Sequence, residues 1–172
     1  MFWIVDGYNL LHACDRAARR LEEESLEAAR EELLGLLADY SAGGGRRVVI
    51  VFDGPEDGDL PSGPSRPRGL RVVFSRGGRS ADDEIAHLVE RHPRPAEIAV
   101  ASSDRAVQRQ AKRLGAAVYS SDEFLREVFG TLGAGGRRGS PEPRGKTAGL
   151  TAAEAKSWKA WFGMDDAADI GS

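Results

Sequence analysis

The sequence predicts an α/β fold, with a central, mostly parallel sheet covered by helices on both faces. Short β-prone apolar segments alternate with longer amphipathic segments, and this alternation is typical of parallel sheets. The chain has 172 residues and one cysteine. It is therefore long enough to bury a core without staples, and a disulfide framework is excluded.

Three segments have the strongest strand character, and two more have weaker strand character. The strong segments are Phe2–Val5, Val48–Phe52 and Ile98–Ala101, and the weaker ones are Leu70–Phe74 and Ala116–Tyr119. Apolar residues at helical spacing predict four helices between or after them. These cover Leu21–Tyr40, Asp82–Arg91, Ala106–Leu114 and Glu123–Phe129.

Composition divides the chain into one main domain and a C-terminal extension. The main domain is expected to cover residues 1–130, with a loop rich in Pro, Gly and Ser over Gly54–Gly69. Residues 131–150 are predicted to be a flexible basic linker because they combine Gly, Pro and Arg with few apolar residues. Residues 151–172 are predicted to form a helix with an aromatic face, followed by an acidic tail.

No apolar run approaches the roughly 18 residues of a membrane-spanning helix. The first residues also lack the basic segment of a secretory signal. We therefore expect a soluble cytoplasmic protein that has no membrane partner.

Aspartates stand where the predicted strands end. Asp6, Asp53 and Asp104 each follow a strand segment, and Asp82 and Asp83 begin a predicted helix. Because the carboxyl ends of parallel strands form the ligand crevice of such sheets, these acids are expected to lie together. Each acid alone is more typical of a turn or a helix cap than of a site, and only their joint placement favours a site.

A cluster of carboxylates needs a cation or raised pKa values. Two carboxylates about 5 Å apart repel by roughly 3 kcal/mol at an effective dielectric near 20. Oxygen ligands without nearby His or Cys favour Mg²⁺ or Mn²⁺ over zinc. Metal-dependent hydrolysis of a phosphodiester is the chemistry that such a cluster serves best.

Four motifs together resemble the NYN branch of the PIN-like nucleases, and most closely its YacP-like members. In order they are Asp6-Gly7-Tyr8-Asn9, Val51-Phe52-Asp53-Gly54, Ser80-Ala81-Asp82-Asp83 and Ala101-Ser102-Ser103-Asp104. The resemblance covers about residues 1–130. It implies a PIN-like three-layer sandwich and a metal-dependent endoribonuclease that leaves 5′-phosphate and 3′-hydroxyl ends.

The resemblance also implies roles for individual residues. Asp6, Asp82 and Asp104 match the core acids for catalysis and metal binding, Asp83 matches a position held by Asp or Glu, and Asp53 matches a further metal-binding acid. Asn9 would orient Asp6 or contact a phosphate, and Ser103 would contact a metal-bound water or a phosphate oxygen.

Arginines cluster next to the predicted site although the net charge is −3. Between Leu60 and Ala81 no residue is acidic. The candidate RNA-binding residues are Arg66, Arg68, Arg71, Arg76 and Arg79, with Arg105 after the last motif. Their guanidinium groups suit phosphate contacts. The low net charge predicts weak, salt-sensitive binding to free RNA, and delivery of the substrate by a larger assembly.

Three hypotheses about function remain open at this point. The first is an endoribonuclease acting on messenger or ribosomal RNA, with ribosome association left open. The second is a non-catalytic RNA- or ribosome-binding module with the same fold. The third is a related nuclease acting on DNA flaps, which is disfavoured because the chain is short.

Overall fold

Strands alternate with helices along residues 1–43, 45–54 and 69–135, which the computed structural model describes. The strands are β1 (Phe2–Asp6), β2 (Arg47–Phe52), β3 (Leu70–Phe74), β4 (Ile98–Ala101) and β5 (Ala117–Tyr119). The helices are α1 (Gly7–Ala13), α2 (Asp15–Glu23), α3 (Leu26–Ala42), α4 (Ala81–Arg91), α5 (Arg105–Arg113) and α6 (Ser121–Gly135). The predicted α/β fold is confirmed.

The strands form one parallel sheet in the order β3-β2-β1-β4-β5. At its centre, Ile4 of β1 is paired with Val49 of β2 on one side and with Val100 of β4 on the other. The chain first builds outward from β1 through β2 to β3, then returns to the other side of β1 to form β4. The direction of winding therefore reverses between β1 and β4.

Side chains alternate between the two faces of the sheet, and each face is covered by helices. Trp3 and Val5 belong to a large apolar core shared with α1, α3 and α6. Ile4 is equally buried but lies on the opposite face, where α4 and α5 pack against the sheet. The result is the expected three-layer sandwich.

The N-terminal helices differ from the prediction. A single helix was expected over Leu21–Tyr40, but the chain forms α1, α2 and α3 before β2. The break between α2 and α3 falls at Glu24, whose φ and ψ of −127° and −84° are not helical, and Ser25 caps α3 by accepting a hydrogen bond from the Ala28 N–H. Helix α1 was missed because Asp6-Gly7 is typical of a turn, whereas here Asp6 is the N-cap.

Helix α6 is longer than predicted, because it continues to Gly135 instead of ending at Phe129. The rest of the predicted linker and the predicted C-terminal helix lie outside the described residues, as does most of the predicted loop Gly54–Gly69. Within the described part of the chain, no helix is long and apolar enough to span a membrane.

Gly7 allows α1 to start directly against β2. A Cβ atom at this position would stand 2.4 Å from the Phe52 ring and 2.8 Å from the Val51 carbonyl oxygen. Both neighbours are fully buried, so neither has room to move away. A glycine is therefore required where the chain turns from β1 into α1.

We expect Gly7→Ala to destabilise the domain by about 1–3 kcal/mol, the usual cost of overpacking a core. Gly35→Ala is the matched control, because no atom lies within 4 Å of a Cβ at that exposed position in α3. It should stabilise the domain by about 0.5–1 kcal/mol through higher helix propensity. Urea denaturation measures both changes, and equal stabilities for the two variants would contradict the close approach at Gly7.

Candidate active site

The candidate site lies at the carboxyl ends of the central strands. Asp6 is the last residue of β1, and Ser102 directly follows β4. Because the winding of the sheet reverses between these two strands, a crevice is expected at this point, and ligands of open α/β sheets bind there. The remaining acids come from the loops that leave β2 and β4 and from the start of α4.

Asp6 is the most deeply buried acid of the site, with 4% of its surface exposed. Its Oδ1 accepts a hydrogen bond from the Asn9 backbone N–H at 3.2 Å. Its Oδ2 accepts two more, from Asn9 Nδ2 at 2.6 Å and from Ser102 Oγ at 3.0 Å. A buried carboxylate needs such donors, and here they fix the orientation of both oxygens.

Ser102 links Asp6 to Asp104. The Ser102 side chain is fully buried, and its Oγ accepts a hydrogen bond from the Asp104 N–H at 3.1 Å. Asp104 in turn caps α5, because its Oδ1 accepts from the Ala106 N–H at 2.6 Å and from the Val107 N–H at 3.4 Å. The turn after β4 is therefore held to the end of β1 through one hydroxyl group.

Asp53 and Asp83 both fix the start of α4. The Ala81 N–H donates to Asp53 Oδ1 at 2.6 Å. Ser80 and Asp83 form a reciprocal capping box, in which Ser80 Oγ accepts from the Asp83 N–H at 3.2 Å and Asp83 Oδ2 accepts from the Ser80 N–H at 3.3 Å. These two acids therefore act as caps while lying at the site.

Asp82 differs from the other four acids of the site, because no described residue fixes its carboxylate. Its carboxylate accepts no hydrogen bond from the described residues, and it forms no ion pair with them. Burial raises the pKa of Asp82 above its usual range, and four neighbouring carboxylates raise it further, those of Asp104, Asp6, Asp53 and Asp83. The other four predicted acids therefore all lie close enough to Asp82 to act on it electrostatically.

The donor set fits a hydrated divalent cation. Across residues 1–43, 45–54 and 69–135, no three Asp, Glu, His or Cys side chains are close enough to enclose an ion directly. Mg²⁺ does not need such a cage, since it keeps several waters and binds proteins through one or two carboxylates. Asp82, repelled by its neighbours and without a partner among the described residues, is the side chain best suited to such an ion.

Ser102, which was not among the predicted site residues, is the serine that contacts an acid of the site. The Ser103 hydroxyl is exposed and accepts a hydrogen bond from the Ser121 N–H at 3.3 Å, at the start of α6. Strand alternation could have found Ser102: Ile4 and Val100 are paired on one face, so the next residues on that face are Asp6 and Ser102.

The predicted arginines that the structure describes divide into an exposed group and one half-buried residue. Arg76, Arg79 and Arg105 are exposed beside the acids, the first two in the turn before α4 and the third at the first position of α5. Arg71 lies within β3 and is half-buried; burial lowers its pKa, which the charge of Glu84 partly offsets. Arg71 therefore lies within electrostatic reach of Glu84 in α4. Two others lie outside the described residues, namely Arg66 and Arg68.

Comparison with known proteins confirms the resemblance seen in the motifs. A family model described as the YacP-like NYN domain matches residues 3–135. The uncharacterized protein YacP of Bacillus subtilis (strain 168) is 34% identical over 126 residues, which is 73% of each chain. The crystal structure of Rae1 (YacP) from Bacillus subtilis superposes with a TM-score of 0.68 and 27% identity, covering 95% of this chain and 88% of that one. The crystal structure of a single-site mutant of Rae1 gives a TM-score of 0.65 and 30% identity, covering 79% of both chains. The chain therefore belongs to the YacP-like NYN domain family.

Proposed function

We propose that this protein is a metal-dependent endoribonuclease that uses Mg²⁺ or Mn²⁺. The observation that carries the proposal is the position of Asp82, which lies among four other carboxylates without a cation partner among the described residues. Such a cluster destabilises the folded protein unless a cation binds. Membership of the YacP-like NYN family supports a nuclease. The choice of RNA rests on the resemblance of the motifs to that family.

Within this proposal each acid has a separate task. Asp82 would contact the cation directly, and Asp6 and Asp104 would hold it through its coordinated waters, with Asp6 kept in place by Asn9 and Ser102. The neighbouring acids Asp53 and Asp83 would add negative charge while they keep the start of α4 in position. A bound divalent cation would supply Lewis acidity and lower the pKa of a coordinated water for attack at phosphorus.

The exposed arginines would receive the substrate. Arg76, Arg79 and Arg105 border the acids, and their guanidinium groups can each contact a phosphate through two N–H donors. A phosphodiester backbone crossing from the turn before α4 to the start of α5 would pass over Asp82. Messenger and ribosomal RNA both offer this backbone, and a larger assembly such as the ribosome would supply the affinity that the low net charge does not.

Cleavage should depend on Asp82 and on a divalent cation. We expect Asp82→Asn to reduce RNA cleavage by at least about 100-fold, since even the hydrogen-bond partners of metal ligands are commonly worth 10–100-fold. Glu90→Gln is the matched control, because it makes the same chemical change at an exposed position of α4. The assay offers matched single-stranded RNA and DNA with Mg²⁺, Mn²⁺ or a chelator, and identifies the product ends.

Four results would contradict the proposal. Full activity in chelator would exclude the metal-dependent reaction, and equal activity of the two variants would exclude the role of Asp82. Preferential cleavage of DNA would favour the flap-nuclease hypothesis instead. Metal uptake without cleavage of any nucleic acid would leave a binding module as the better description.

Asp82 should lower the stability of the folded protein when no metal is present. Because the pKa of Asp82 is raised in the folded state, its ionisation opposes folding above that raised pKa, and the penalty disappears as the pH falls below the ordinary pKa of an aspartate. In chelator at pH 7, Asp82→Asn should therefore be more stable than the wild type, by on the order of 1 kcal/mol.

Adding Mg²⁺ should reverse this order by stabilising the wild type more than the variant. Thermal unfolding measured with and without Mg²⁺ tests both statements. Glu90→Gln should follow the wild type in each condition. Identical responses of all three proteins to Mg²⁺ would place the cation elsewhere.

A further inference from the structure

Arg30 of α3 lies in an aromatic pocket at the same end of the sheet as the acids. Its guanidinium carbon is 5.7, 5.6 and 5.8 Å from the ring centroids of Tyr8, Phe52 and Phe74. Tyr8 follows Asp6 by two residues, and Phe52 directly precedes Asp53. The positive charge of Arg30 is therefore held by rings that belong to, or closely follow, the segments carrying Asp6 and Asp53.

This guanidinium is poorly compensated by the protein. Arg30 forms no ion pair within the described residues, and its Nε is buried without a hydrogen-bond partner there. Its described hydrogen bond runs from Nη2 to the Tyr8 hydroxyl oxygen, at 2.7 Å. Arg30 is only partly buried, but leaving its buried Nε–H without an acceptor costs free energy. The three rings contact the charge, but they supply no anion to it.

The direction of this hydrogen bond defines what Tyr8 can do. A guanidinium group can only donate, so the Tyr8 oxygen is the acceptor and its O–H remains available as a donor. No acceptor for that O–H is present in the part of the chain that the structure describes. The Tyr8 ring also packs edge-on against Phe52, with centroids 5.3 Å apart, which limits the movement of the hydroxyl.

We infer that the Tyr8 hydroxyl donates a hydrogen bond to a phosphate oxygen of the RNA strand beside the cleaved bond, and that Arg30 is the residue that positions it. This inference rests on the proposed function, because it assigns a substrate contact to the same site. The chain from guanidinium to hydroxyl to phosphate is charge-assisted at both ends, and such hydrogen bonds strengthen one another. A phosphate oxygen suits this O–H as an acceptor, because its negative charge would balance the positive charge of Arg30, which has no anionic partner among the described residues.

Tyr8→Phe tests the contact because it removes one oxygen and keeps the ring. We expect it to weaken binding of a short fluorescein-labelled single-stranded RNA by about tenfold, the value of one hydrogen bond to a charged group. Binding is measured by fluorescence anisotropy without metal. In cleavage assays the loss should appear in KM with kcat nearly unchanged, because the contact holds the strand equally before and during reaction.

Tyr119→Phe is the matched control, since it removes a hydroxyl from a half-buried tyrosine whose ring packs against Trp3. It should bind and cleave like the wild type. If Tyr8 only stacks on a base, Tyr8→Phe will also behave like the wild type, and that result would overturn the inference.

A double-mutant cycle separates positioning from a second, independent contact. Arg30→Met should weaken binding about as much as Tyr8→Phe, and combining the two should add little, because Arg30 acts through Tyr8. Losses that multiply in the double variant would instead show that Arg30 contacts RNA by itself. Circular dichroism checks that each variant folds; if Arg30→Met does not fold, Tyr8→Phe alone decides.

The two levels of proposal fail in different ways. If the wild type cleaves no RNA, the proposed function is wrong, but the binding comparison between Tyr8→Phe and Tyr119→Phe still tests the phosphate contact. If the wild type cleaves RNA and Tyr8→Phe matches it in both KM and binding, only the further inference is wrong. A wild type that neither cleaves RNA nor binds it at low ionic strength, where phosphate contacts are strongest, overturns both.

Discussion

The buried carboxylate of Asp6 is the constraint on which the site depends. It ends the central strand, and its three hydrogen bonds reach forward into α1 and across to the turn after β4. Without Asn9 and Ser102, this group would be a buried charge without partners, which is among the most destabilising features a core can contain. The hydrogen bonds that stabilise the buried Asp6 carboxylate include one from Ser102, and Ser102 also accepts from the Asp104 N–H. The same few hydrogen bonds therefore stabilise the fold and set the geometry of the site.

Much of the fold could be predicted because strand segments and their terminal acids are local patterns. The ends of β1, β2 and β4 were each marked by an aspartate, and the parallel sheet brought those aspartates together. The helices before β2 could not be predicted equally well, because Asp6-Gly7 has the same sequence whether it turns or caps a helix. In the folded chain α1 begins where Gly7 passes close to Phe52, and that close approach depends on tertiary packing.

The side-chain partners at the site were less predictable than the acids themselves. Ser102 and Ser103 are adjacent and chemically identical, and the register of β4 against β1 decides which of them faces Asp6. Arg71 belongs to the same basic stretch as Arg76, but it lies inside a strand and is half-buried. Arg30 gave no signal in the sequence, because it lies in a helix rich in charged residues and meets Tyr8 only in the folded chain.

Helices α4 and α5 both begin at the acidic cluster, and their first turns are capped by three of its members, Asp53, Asp83 and Asp104. Each helix carries a partial positive charge at its N-terminus because its backbone dipoles are aligned. The acids are therefore surrounded by fixed positive potential that belongs to the main chain and cannot be removed by substituting a side chain. This background field offsets part of the repulsion within the cluster, so the fold can assemble its acids before any ion or substrate arrives.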